Sequence, residues 1–151
     1  MSFNGFTPEA LKFLFENKLN NSKEWYEGHK GDYKKYVYEP FVELIRELSP
    51  DMTAIDGSLI TIPSKLISRV RRDTRFTRDK SLYRDNVWLA FLRDKPLMST
   101  SPCFWFEINQ KGSSCGTGYY GAEAGSMAKM REMIVERHPA FFSALAAYEA
   151  Q

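Results

Sequence analysis

Cysteine and histidine are scarce: this chain of 151 residues has two of each. The histidines, His29 and His138, lie far apart and belong to no H-E-x-x-H pattern. The cysteines, Cys103 and Cys115, do not form a Cys-x-x-Cys pair. The usual sequence signatures of zinc sites are therefore missing, and no metal or other cofactor is expected. If the cysteines flanked one hairpin, pairing them would need a turn centred on Asn109. The turn signal, Gln110-Lys111-Gly112, comes later, so two reduced thiols are expected. No apolar run approaches the length that spans a bilayer, and no membrane partner is expected. The start, M-S-F-N-G-F-T-P-E, lacks the basic head and apolar stretch of a secretory signal. These absences predict a cytoplasmic protein.

Net charge is also small, at +2. Against that background stands one basic run, Lys65 to Arg84, with eight Lys or Arg and two Asp. Its local excess is six positive charges, so the rest of the chain is net negative. Charge this concentrated either binds an anion or is neutralised within the fold. The remaining composition is that of a folded protein. It is 43% hydrophobic and 15% aromatic, which supplies a core and argues against disorder. The length predicts one domain.

The periodicities predict α+β architecture, helices around an antiparallel or mixed sheet. Thr7 as N-cap and Pro8 open a helix to Asn17, with Leu11, Leu14 and Phe15 buried and Phe6 and Leu11 as a hydrophobic staple. Asn21 and Glu24 predict a capping box for a second helix carrying Tyr26, His29, Tyr33, Tyr36 and Val37. Pro40 predicts a kink or restart, and Ser49-Pro50 an end. Strands are predicted at Leu59–Ile62, Leu66–Val70, Asn86–Leu92, Cys103–Asn109 and Cys115–Tyr120, with Phe104, Phe106 and Ile108 on one face. Ala122 to Arg137 predicts a further helix. Phe141, Phe142, Leu145 and Tyr148 begin another that lacks a stop signal, which suggests a chain truncated at its C-terminus.

The segment Arg69-Val70-Arg71-Arg72-Asp73-Thr74-Arg75-Phe76-Thr77-Arg78-Asp79-Lys80-Ser81-Leu82-Tyr83-Arg84 resembles the signature of a known family. This is domain of unknown function 2461, found in bacterial and fungal proteins without an established activity. Phe3-x-Gly5-Phe6, Asn20-Asn21-x-x-x-Trp25-Tyr26, Tyr33, Pro40-Phe41, Gly116-x-Gly118-Tyr119-Tyr120 and Met130-Arg131 are further points of likeness. Leu82 departs from the pattern, which prefers Pro there. The resemblance implies an α+β fold and a chain that usually continues further; it implies little about chemistry.

Three functions compete for the basic run. The first is a site for a phosphate-bearing or other small anionic ligand. Arg69, Arg71, Arg72, Arg75 and Lys80 would be its contacts, Tyr83 a hydroxyl donor, and Asp73 and Asp79 would orient the arginines. The second is a structural or protein-interaction module whose Arg and Asp side chains pair internally. The third is an enzyme acting on a phosphorylated substrate. Nucleic acid is a less favoured partner: Phe76, Tyr83 and Trp88 would suit stacking, but no nucleic-acid module is present. Gly116-Thr117-Gly118-Tyr119-Tyr120-Gly121 matches G-x-G-x-x-G literally, without the apolar strand before it that a dinucleotide site needs. The thiols and the carboxylates Asp73, Asp79, Asp85 and Glu107 give no clear catalytic pairing. Oligomeric state is not legible.

Overall fold

The computed structural model describes residues 3–75, 78–94 and 100–150, and it is α+β. Phe76, one of the stacking candidates, lies outside the described residues. Helix α1 (Pro8–Asn20) follows Thr7, whose extended backbone lets Pro8 take the first turn, where no N–H is needed. Its buried face is Ala10, Phe13, Leu14 and Asn17. That spacing is one helical stripe. It differs from the predicted face, for Phe15 is 48% exposed. The stripe is set by the contacts available at Asn17, which sequence does not show. Phe6 carries its ring to Phe41 and Phe106, with centroids 4.8 and 5.7 Å away.

Helix α2 (Lys23–Asp32) is capped by Ser22, which accepts from the Trp25 N–H at 3.2 Å. The predicted Asn21–Glu24 capping box does not form. Asn21 is left-handed, φ +39°, and its amide is used elsewhere. The helix widens into a π-helical stretch, Tyr33–Tyr38, before α3 (Glu39–Ile55). The Glu39 N–H reaches back to the Lys34 carbonyl. Pro40 has no N–H to give, and the wide turn is the chain's restart there. Pro50 does not end α3, contrary to expectation. It is exposed, so solvent can serve the carbonyl it leaves unpaired, while the Ser49 hydroxyl donates to Ile45 O at 2.5 Å.

The sheet has three antiparallel strands in the order β1 (Asn86–Phe91), β2 (Cys103–Asn109), β3 (Gly112–Gly118). Val87 lies opposite Ile108, Leu89 opposite Phe106 and Phe91 opposite Phe104. These six face the helices. Phe41, Ile45, Leu14, Val37 and Leu66 fill the space between. Full burial of such side chains contributes about 1.5–3 kcal/mol each. Trp88 with Glu107 and Ala90 with Trp105 take the alternate positions and so the other face. Cys103 pairs with Gly118 and Cys115 with Phe106, so the thiols are not cross-strand neighbours.

Two predicted strands are corrected. Leu59–Ile62 forms none, although the Ile60 N–H donates to Leu92 O at 2.9 Å. Leu66 instead closes the short helix α4 (Pro63–Leu66), started by Pro63. Beyond it the chain runs beside β1 as an interrupted edge, with isolated bridges Ile67–Leu89 and Arg71–Tyr83. Ser68 bonds to Trp88 and Val70 to Arg84, so the β1 side carries extra residues and the ladder bulges. Helices α5 (Ala124–Val135) and α6 (Pro139–Glu149) bury no residue fully. Among the described residues no helix is long and apolar enough to cross a membrane.

Phe41→Ala should cost about 3–5 kcal/mol in urea unfolding, because Phe41 is wholly buried. Val135→Ala, at an 81% exposed position, should change stability by no more than about 0.5 kcal/mol. Equal effects from the two would contradict this core.

Candidate functional site

Two asparagines on α1 and at its end position the basic run. The Asn21 Oδ1 accepts from the Leu82 and Tyr83 N–H groups at 2.6 and 3.2 Å, and its Nδ2 donates to Tyr83 O at 3.1 Å. Asn17 Nδ2 donates to Arg84 O at 3.0 Å. Tyr83 is thereby held in its bridge with Arg71, and its side chain and that of Arg84 point oppositely. Tyr83 turns toward the helices: it is 5% exposed and stacks on Tyr26 at 4.5 Å. It serves packing there, and so is no hydroxyl donor on an exposed basic face. Arg84 turns to the open face of the sheet.

The loop between the two edges ties itself together. Asp73 takes Arg75 in a fork, Nε at 2.9 Å and Nη2 at 2.7 Å. Arg72 pairs with Asp79 at 2.5 Å and also reaches Ser81 Oγ at 3.3 Å. Lys80 donates to Thr74 O at 2.9 Å. Hydrogen bonds from Arg75 hold the Asp73 carboxyl down to about 2. Those from Ser81, then the Arg72 charge, lower that of Asp79. These are exposed pairs, each of small energetic weight. Arg69 and Arg71 are exposed and enter no ion pair among the described residues. The six candidates therefore do not converge: two are paired within the loop, one bonds to backbone, two face solvent and one is core.

A concave surface lies elsewhere. The open face of the sheet forms a groove of about 740 Å³. Trp88, Ala90 and Leu92 line it from one strand, Cys103, Trp105 and Glu107 from the next, and Tyr119 and Tyr120 beyond β3. Gly116 permits its shape: a Cβ there would stand 3.1 Å from the Trp105 ring. The Arg84 side chain also lines the groove, and its Nε is shut from solvent without a hydrogen-bond partner. Glu107 is fixed by amide donors, Asn86 Nδ2 at 3.1 Å and Asn109 Nδ2 at 3.3 Å. Burial pushes the Cys103 thiol up, which keeps it protonated and a poor nucleophile.

Other sequence features fall into structural places. His29 stacks on Trp25 at 4.1 Å, and the His138 ring accepts from the Ala140 N–H at 3.3 Å. Among the described residues no group of three His, Cys, Asp or Glu is arranged to hold a metal. Gly116 and Gly118 sit inside β3, not in a strand-to-helix turn, so the G-x-G-x-x-G match has no phosphate-binding geometry. Arg84 and Trp105 line the groove and are not among the candidates read from sequence. The available signal was alternation: with Phe104, Phe106 and Ile108 inward, Trp105 and Glu107 must face out together.

The Asp73–Arg75 fork has a pH signature. The folded-state carboxyl lies below its ordinary 3.8, so the pair's contribution is complete above about 3.8 and is lost as pH falls toward about 2. A carboxyl NMR titration should place Asp73 near 2, and Arg75→Ala should return it toward 3.8. An unchanged midpoint in the variant would remove the fork as the cause.

No curated protein and no solved structure matches the chain. A family model described as "Conserved hypothetical protein (DUF2461)" matches residues 9–151, which include the basic run, both asparagines and every residue of the groove, and the chain therefore belongs to that family.

Proposed function

We propose that this protein binds a small anionic ligand on the open face of its sheet, with Arg84 as the anion contact and Trp88 and Trp105 as an aromatic floor. One observation carries the reading: Arg84 lines an aromatic groove and its Nε is buried with no partner. The Arg84 guanidinium enters no ion pair among the described residues, so its charge is available to an anion in the groove. Guanidinium is the side chain best matched to carboxylate or phosphate, through a planar fork. The groove's volume lies in the range of small-molecule sites.

The exposed Arg69, Arg71 and Lys80 add positive potential that draws anions to this part of the surface. The self-paired loop, with Arg72 on Asp79 and Arg75 on Asp73, favours the scaffold reading for that segment alone. The two readings divide the basic run: its loop is held internally, and its last residue serves the groove.

Fluorescence of Trp88 and Trp105, with thermal unfolding, tests this against phosphate, phenyl phosphate and nucleotides. Aromatic anions should quench emission and raise Tm. Arg84→Ala should weaken them about tenfold or more, while Arg75→Ala should leave affinity within about threefold, since charge-assisted contacts outweigh exposed ones. Binding that survives Arg84→Ala but is lost in Arg69→Ala or Arg71→Ala would move the site to the basic edge and overturn the groove.

A further inference from the structure

We infer that the ligand of this groove is amphoteric: a flat ring bearing an anion at one end and an ammonium or amino N–H donor at the other. This rests on the groove being the ligand site. The observation is a second charge in the same cavity. Glu107 lies directly opposite Trp88 and two residues from Trp105 on the same face. Its two carboxylate oxygens accept from neutral amides, Asn86 and Asn109, which fix its direction without cancelling its charge. Among the described residues Glu107 enters no ion pair, and Arg84 in the same groove does not neutralise it. Lys18, which lines the smaller cleft beside Glu107, is committed to Asp85 at 2.8 Å.

A ligand carrying only negative charge would gain at Arg84 and be repelled at Glu107. A ligand with a donor or cation at the far end gains at both, and an ammonium also gains from the indole faces. The arrangement therefore discriminates against phosphate, polyphosphate and a simple aryl carboxylate. Two kinds of molecule share the selected chemistry: ring acids with an aminomethyl group at the opposite end, and nucleotides whose base carries an exocyclic amino group.

Titration calorimetry with two matched pairs separates them. One pair is 4-(aminomethyl)benzoate and 4-methylbenzoate; the other is adenosine 5′-monophosphate and purine riboside 5′-monophosphate. In each pair the second member keeps ring and anion and lacks the amino group. The donor-bearing member of one pair should bind about tenfold or more tighter, as a charge-assisted contact allows, and that pair names the source. Glu107→Leu should erase the difference, weakening the donor-bearing member and, with the repulsion gone, tightening the donor-free anion, whereas Arg84→Lys should weaken both. Glu107→Gln, which keeps the side chain's size and one of its two amide contacts while removing the charge, serves if the leucine variant does not fold. Equal binding within each pair overturns the amphoteric ligand and leaves the anion site standing. No binding by any of the four, or binding indifferent to Arg84, overturns both.

Discussion

The fold's division of labour depends on one set of hydrogen bonds, from Asn21 and Asn17 to the backbone of residues 82–84. Each such bond contributes about 0.5–1.5 kcal/mol net, but its geometric consequence is larger. It fixes the bridge residue Tyr83 against α1, so that its side chain and that of Arg84 take opposite directions. Tyr83 is sent into the helical layer beside Tyr26, and Arg84 is sent to the opposite face. Leu82 has a part in this: its N–H is one of the two that Asn21 receives, a donor that the Pro preferred by the motif's pattern lacks.

The same alternation continues through β1 and β2. One face of the sheet carries Val87, Leu89, Phe91 and Ile108 and is sealed by α1, the π-helical stretch and α3. The other carries Trp88, Trp105 and Glu107 and stays open. Aromatic side chains on an uncovered sheet face, with a charge of each sign among them, are the basis of the proposed ligand site. β3 supports this by having little of its own to bury: Gly116 leaves room for the Trp105 indole.

Much of the secondary structure was legible. The Cys103–Asn109 strand, the Pro8 helix start and the wide turn before Pro40 follow from alternation and from proline's missing N–H. The misses share a cause. Ser22, not Asn21, caps α2, because Asn21 is held by a segment about sixty positions away. The stripe on α1 runs through Asn17 for the same reason. Leu66–Val70 is no continuous strand, because its partner carries a bulge that local pattern cannot show. For the candidate site, the basic run was conspicuous, yet two of its eight cations pair within the loop and Arg69 and Arg71 face solvent. The groove residues were hidden, since Trp105 and Glu107 read locally as ordinary strand positions.

What the sequence determined by itself was the α+β class, the family motif, the absence of zinc-type signatures and the concentration of positive charge. Each is a local matter of residue type and period. Only tertiary structure decided which arginine meets a cavity. That choice depends on register and on asparagine bonds linking residues about sixty apart, because a one-residue slip would turn every side chain of the strand to the other face.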